Sequence, residues 1–405
     1  MGYTKDAVKG ISWVGAFRVT TRGVSFARTI VLARILTPAQ FGIFGIATLI
    51  ISFLEILTET GINVFLIQKK DRVEEYINTA WVVSIFRGII IAFVVALLAP
   101  VISGIFNSPE STNAIYLISV VALLRGFINP SLVKFQKELR FNHEFRFKFA
   151  VFVLDSTVAI LVSLITKSAI GMVWGLIAGA ALEVVLSFLF LKPRPTWNYN
   201  SKQFGEIVRS GKWITGAGIF QFLFRQGDDA IVAKIMGENS LGIYQVAYKI
   251  ASLPISEITD VFGRVTFPLY VKIADDKRRL QKAFMKTTTV TSVLAISIGI
   301  FLFVFGQQLI LLLLGDKWIA VVPLVRILSI FGVVQAITNS MNAFLLALEK
   351  QRYVTVSSLV QVTVLIALIF PLIATRGLFG AALAPLVSSL ITLPIMLYFV
   401  YISLK

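Results

Sequence analysis

The chain has 405 residues, 57% of them hydrophobic and only 15% charged, with a mean hydropathy of +0.85, whereas soluble domains carry about 25% charged residues. That balance excludes a soluble globular fold, which has too little interior to hide so much apolar surface. The net charge of +17 does not point to nucleic acid as a partner, because the Lys and Arg fall in short loops between apolar runs, where they orient a membrane protein.

Apolar runs of about 20 residues, enough to cross a ~30 Å hydrocarbon layer, recur along the whole chain. Read against Pro, Gly and charged breaks, they predict an all-α, polytopic membrane protein with about twelve helices. The spans are 8–34, 41–67, 79–105, 113–136, 147–167, 170–191, 206–236, 240–272, 281–313, 321–348, 352–374 and 377–402. The leader MGYTKDAVKG runs into a segment bearing Arg18, Arg22 and Arg28, unlike a cleaved signal peptide, so the first helix is expected to remain. Asp6 stands where myristoylation needs Ser or Thr. Gly171, Gly175 and Gly179 recur at i+4 and predict close packing of the sixth helix on a neighbour.

In mid-chain, Lys192-Pro193-Arg194-Pro195-Thr196-Trp197-Asn198 is polar, basic and proline-containing, which predicts a linker at 192–205 between lobes 1–191 and 206–405. A repeat supports the division. Ala33-Arg34-Ile35-Leu36 matches Ala233-Lys234-Ile235-Met236, Phe41-Gly42-Ile43-Phe44 matches Leu241-Gly242-Ile243-Tyr244, and in the same register Ala47 matches Ala247 and Trp13 matches Trp213. Equivalent helices in two halves predict pseudo-symmetric six-helix bundles with a site between them, a transporter architecture. With the N-terminus inside, the cytoplasmic segments hold Lys5, Lys69, Lys137, Arg140, Arg194, Arg278 and Lys350 among others. The basic residues then favour that side by roughly three to one, which predicts both termini in the cytoplasm.

Each charge in a membrane helix costs about 2.5–3.5 kcal/mol on insertion scales and normally faces a polar cavity or a partner. In the first helix Arg18, Arg22, Ser25 and Thr29 share a face, with Arg28 beside it. Guanidinium groups so arranged suit a diphosphate headgroup. The alternative is that Arg18 snorkels to the interface and Arg28 pairs with a buried acid such as Glu55 or Glu59. Arg125 is a further cavity candidate, whereas Arg87 and Arg264 lie near helix ends and read as interface anchors. The seventh helix, the repeat partner of the first, carries Gln221, Arg225, Asp228 and Asp229. Arg225 reaches either aspartate at i+3 or i+4, and the acid left over is a candidate for coupling to H+ or Na+. The other candidate acids are Glu55, Glu59, Asp155, Glu257 and Asp260; Glu183 is a further intramembrane charge.

Enzymatic signatures are missing. There is no cysteine, the one histidine, His143, sits in a basic loop, no phosphate-binding G-x-x-x-x-G-K-[ST] motif occurs, and Asp275-Asp276 has no nucleotide-binding domain around it. No catalytic residue, metal site or cofactor is expected beyond a coupling ion.

Leu32 to Phe44 (LARILTPAQFGIF), Thr60 to Asp71 (TGINVFLIQKKD), Asn78-Thr79-Ala80-Trp81, Leu98-Ala99-Pro100, Asn129-Pro130 and Phe267-Pro268-Leu269-Tyr270 together resemble the Wzx-type polysaccharide transporters. These belong to the multidrug/oligosaccharidyl-lipid/polysaccharide superfamily. The resemblance implies two six-helix bundles in a V around a central cationic cavity. It also implies a polyprenyl-diphosphate-linked oligosaccharide as substrate, moved outward by a secondary mechanism with membrane lipids, a polysaccharide polymerase and glycosyltransferases as partners. Arg18, Arg22, Arg28, Arg125 and Arg225 would then face the diphosphate or acidic sugars. Many relatives have fourteen helices against about twelve here. The related lipid II flippases join an acid of helix 7 to polar residues of helices 11 and 12, where this chain offers Gln361 and Thr363 but no acid. The competing readings are a drug or metabolite exporter of the same fold, which a cavity rich in Arg disfavours for cations, and a membrane glycosyltransferase, for which no loop is long enough.

Overall fold

The computed structural model describes residues 20–57, 62–68, 73–138 and 140–404, some side chains within 57–68 and 208–268 excepted. Most of the described residues are helical, and no strand occurs among them. In chain order the helices are α1 (20–35), α2 (Pro38–Leu57), α3 (Ile62–Gln68), α4 (Val73–Ile105), α5 (Ser111–Gly126), α6 (Val133–Lys137), α7 (Phe141–Thr166), α8 (Ile170–Phe190), α9 (Ser201–Lys272), α10 (Lys277–Leu313), α11 (Val322–Ala347) and α12 (Gln351–Leu404). Seven of the described helices are long and apolar enough to cross a membrane, or eight when α5 and the short helical stretch after it count as one bent span.

Where these helices end follows from a few residues. Pro38 opens α2, where its missing N–H belongs to the unpaired first turn. The side chain of Asp276 accepts from Arg279 N–H at 3.0 Å and caps α10. The span expected over 113–136 is broken: α5 stops at Gly126 and the chain turns by 72° into Pro130–Lys137. Asn129, held extended ahead of Pro130 as residues before proline are, accepts from Ser131 N–H at 2.9 Å and starts the new direction. The expected joints at 236–240 and 374–377 fall at Gly237 (φ 78°) and Gly377 (φ 57°), where a left-handed backbone suits glycine. The α1–α2 joint at residues 36–37 and the break at Gly237 occupy matching places in the repeat.

By contact the chain separates into two compact units, Met1–Asn239 and Ser240–Lys405. The first takes in the opening stretch of α9, whose Phe222 ring lies 5.3 Å from that of Phe53 in α2.

In this unit α7 and α8 meet along the glycine stripe, as the i+4 spacing predicts. A Cβ on Gly171 would strike Ser163, and one on Gly175 would come within 2.5 Å of the Asp155 carbonyl oxygen. Apolar burial drives little association in lipid, so such close backbone packing has to supply it.

The 192–205 segment is a strap fixed to the unit. Pro193 O accepts from Asn129 Nδ2 at 3.2 Å and from Ser131 Oγ at 2.9 Å. Thr196 N–H donates to Asn78 Oδ1 at 2.8 Å, and Asn200 N–H to Thr79 Oγ1 at 3.2 Å. Asn129 is fully buried and also donates its backbone N–H to Ser187 Oγ at 3.0 Å.

The second unit has an aromatic core in which Phe284 and Phe344 stand 4.4 Å apart with Tyr270 5.7 Å from Phe344. Tyr353 stacks on Phe399 at 4.4 Å. Polar contacts between its helices include Thr288–Ser340 at 2.8 Å and Gln361–Ser389 at 3.1 Å.

Gly175→Leu is expected to lower the melting temperature of the detergent-purified protein sharply, because overpacking costs about 1–3 kcal/mol or more. Gly205→Leu, where an added Cβ meets nothing within 4 Å, should melt near wild type. Equal melting of the two variants would refute the close α7–α8 contact.

Candidate functional site

Helices α4 and α5 cross where glycine meets glycine. A Cβ on Gly88 would lie 2.8 Å from Ala122 O, and one on Gly126 2.8 Å from Ser84 O. Each glycine directly follows an arginine, so the crossing that the glycines permit brings Arg87 and Arg125 to the same place. There they line a cavity of about 390 Å³ together with Glu55 of α2, Glu183 of α8, and Asn63 and Asn129.

The contacts inside it are specific. Arg125 Nη1 donates to Glu55 Oε1 at 2.8 Å and to Oε2 at 3.0 Å. Arg87 Nη2 donates to the Glu55 backbone oxygen at 2.5 Å. Glu183 makes no ion pair within 4.0 Å among the described residues; the charges that face it are Arg125, Lys148 and Glu55. Two guanidinium and two carboxyl groups thus line it, and the cavity is polar.

Beside it lies a second pair. Arg28 Nη1 donates to Asp155 Oδ2 at 2.8 Å, with side chains only 13% and 12% exposed, against 42% and 25% for Arg125 and Glu55. Asp155 Oδ1 is buried with no hydrogen-bond partner and lies against the Cα of Gly175, where an added Cβ would be 2.6 Å away. The deeper pair joins α1 to α7. The Arg125–Glu55 pair faces open space and can exchange partners with one.

Comparison with known proteins bears on what such a cavity serves. A family profile described as "Polysaccharide biosynthesis protein" matches residues 31–323. The chain belongs to that family. Among its relatives is the lipopolysaccharide biosynthesis protein WzxC of Escherichia coli, 24% identical over 349 residues, covering 86% of this chain and 71% of the relative. Its fold is similar to that of the lipid II flippase MurJ in an inward closed conformation, with a TM-score of 0.73 at 14% identity over 95% of this chain and 87% of that one. It is also similar to an inward-facing multidrug resistance MATE transporter of the MOP superfamily, with a TM-score of 0.69 at 13% identity over 96% and 98% of the two chains. The all-α, multi-pass membrane fold expected from the sequence is thus the fold of this polysaccharide biosynthesis protein.

Of the candidate residues in this family member, the structure brings Glu55 and Arg125 into one cavity, with Arg28 and Asp155 adjoining. Arg22 and Arg225 are exposed and lie outside the cavity lining. Asp228 is buried and its Oδ1 accepts from Asp229 N–H at 3.0 Å. Glu257 is half-buried in the second unit. Arg18 and Glu59 lie outside the described residues, as does the side chain of Asp260. Arg28 pairs with a buried acid, Asp155, because α7 stands opposite it. Arg87, read as an interface anchor, lines the cavity, since the Gly88–Gly126 crossing turns it toward α5. Arg125 stands in the last turn of α5, since the helix breaks before Pro130.

Glu183 was outside the candidate set. The glycine stripe that packs α8 on α7 continues at the same i+4 interval from Gly179 to Glu183, which marks the face it shares, and the Arg-Gly steps at 87–88 and 125–126 were an equivalent signal for the two arginines.

Asp155→Ala should destabilise more than Glu55→Ala, because removing one partner of a buried pair costs about 3–5 kcal/mol and a cavity-lining pair far less. Thermal melting with Arg28→Ala and Arg125→Ala as partners in double-mutant cycles measures both couplings; a larger coupling for Arg125–Glu55 would reverse the assignment of the two pairs.

Proposed function

We propose that this protein moves a polyprenyl-diphosphate-linked oligosaccharide across the cytoplasmic membrane by alternating access, as a step in O-antigen, exopolysaccharide or capsule-type biosynthesis. The observation that carries this reading is the arginine-bearing polar cavity inside an apolar bundle, in a chain of the polysaccharide biosynthesis family. Arg125 and Arg87 present two guanidinium groups to one space, and a diphosphate entering it offers acceptors that suit their planar donors. When Arg125 turns to the phosphate, Glu55 loses this ion pair and a proton or a cation can compensate the lost charge. This ties substrate to a coupling ion, H+ or Na+. Glu55, Glu183 and Asp155 are our candidates for that role, with Asp228 and Asp229 as a second group. The excess of Lys and Arg in alternate loops supports both termini in the cytoplasm. A membrane transporter handing on a finished lipid-linked unit works between glycosyltransferases, which supply it, and a polymerase, which consumes it.

The test is transbilayer movement of a fluorescent polyprenyl-diphosphate oligosaccharide in proteoliposomes. Arg125→Gln is expected to slow it about ten- to a hundredfold, the loss of a charge-assisted contact of about 1.5–3 kcal/mol. Glu55→Gln should lose the response to an imposed proton or Na+ gradient. An unchanged rate in the arginine variant would remove the cavity from the transport path. No movement of several glycan types would favour a drug or metabolite exporter of the same fold.

A further inference from the structure

In the second unit, α11 carries an arginine one turn past its start. The Nε of Arg326 is buried with no hydrogen-bond partner, and its guanidinium carbon lies 5.9 Å from the centre of the Phe303 ring of α10. No carboxylate among the described residues pairs with it. The one acid between Lys286 and Glu349 in sequence is Asp316, which stands beside Lys317 in the short helical turn before α11. Arg28 and Arg125, by contrast, each hold a carboxylate. An arginine that merely anchors a helix at the interface keeps its guanidinium in water, whereas this side chain is partly withdrawn from it. A ring face at that distance is a weak substitute for an anion, so the charge is left for a group outside the protein to neutralise.

We infer that Arg326 holds the phosphate of an anionic phospholipid whose acyl chains lie along the seam between α10 and α11. Depth supports it. From Ile327 to Ala347 α11 is uncharged for 21 residues, about 32 Å, and Phe303 stands 17 residues beyond Lys286 on α10, about 26 Å, against a hydrocarbon thickness of ~30 Å. Counted along either helix, Arg326 stands at the hydrocarbon edge opposite Lys286 and Lys350, level with lipid phosphates. On the orientation proposed above this edge is the outer one. The apolar surface runs inward from there. A Cβ on Gly306 would meet Val325 and one on Gly299 would meet Val333, a register that sets Arg326 beside residues 304–306 of α10. Ile296, Ile300 and Phe303, which share a face of α10, and Ile330, one turn beyond Arg326 on α11, therefore all lie on its hydrocarbon side, and all four are exposed. Charge selects the lipid. One guanidinium suits one phosphodiester, whereas a zwitterionic lipid brings its own ammonium to the phosphate and a diphosphate carries more negative charge than one arginine offsets. The inference is independent of the transport proposed above, because it concerns lipid that stays with the protein.

The experiment uses the full chain in vesicles of phosphatidylethanolamine and phosphatidylglycerol that contain a phosphatidylglycerol with a diazirine near the glycerol end of one acyl chain. After irradiation, adducts are mapped by peptide mass spectrometry. They are expected to concentrate on 300–304 and 326–330 over exposed apolar residues of α4 such as Phe93 and Leu97. Unlabelled phosphatidylglycerol should suppress them, and added phosphatidylethanolamine or polyprenyl diphosphate should not. Arg326→Gln should lower labelling of the seam about tenfold, the loss of one charge-assisted contact, and leave Phe93 and Leu97 as they were, while Arg326→Lys, which keeps the charge, should retain most of it. Adducts spread evenly over the lipid-facing residues, or equal suppression by phosphatidylethanolamine, would overturn the inference; so would seam labelling in Arg326→Gln equal to wild type. Stronger suppression by polyprenyl diphosphate would also overturn it, since the site would then belong to the transported lipid. The competition arms use the wild type alone, so they decide the matter even where Arg326→Gln fails to fold.

Discussion

A charged group in a membrane helix has no water to turn to, and the first unit is organised around meeting that constraint. Arg28 and Asp155 close on each other at 2.8 Å, joining α1 to α7 more than a hundred residues apart. Arg125 and Glu55 join α5 to α2 in the same way. Were either pair misplaced, two charges would face lipid at about 2.5–3.5 kcal/mol each, so the pairs select one arrangement of helices that are otherwise uniformly apolar and weakly specific.

Small residues make those pairs geometrically possible. The glycine stripe lets α8 lie against the backbone of α7 beside Asp155, and the Gly88–Gly126 crossing sets α4 on α5 so that two arginines converge. Electrostatics and close packing thus act together: glycine shortens the distance, and shorter distance strengthens the ion pair in a medium of low dielectric constant. The strap at 192–205 extends the same logic outside the helices, where Asn129 and Thr79 hold a segment that composition alone marks as a connector.

The two halves of the repeat share backbone more than chemistry. The joint after Leu36 and the break at Gly237 correspond, and Ala33 and Ala233 are both fully buried. At the matching positions 28 and 228, however, an arginine faces an aspartate of opposite charge, and positions 18 and 22 have Gly218 and Phe222 as counterparts. The second unit packs Tyr270, Phe284 and Phe344 against one another.

Hydropathy, proline and glycine are local properties, and they sufficed for the membrane class, the positions of the helix breaks near 237 and 377, the glycine packing face of α8 and the short list of charges that required partners. A family signature in LARILTPAQFGIF pointed the same way. Which charge meets which partner was beyond local reading, because the sequence offers Arg28 carboxylates on several other helices, among them Glu55, Asp155 and Glu183, and only the three-dimensional arrangement puts α7 opposite it. The same holds for Arg87, whose place near a helix end suggested an anchor until the crossing with α5 aimed it at the cavity, and for the strap, whose polar, proline-rich composition reads as loose although its backbone is tied at every few residues. Sequence determines what each helix must do with its surface and its charges; the pairing itself is a long-range contact, chosen among alternatives of similar local cost by the packing of the whole unit.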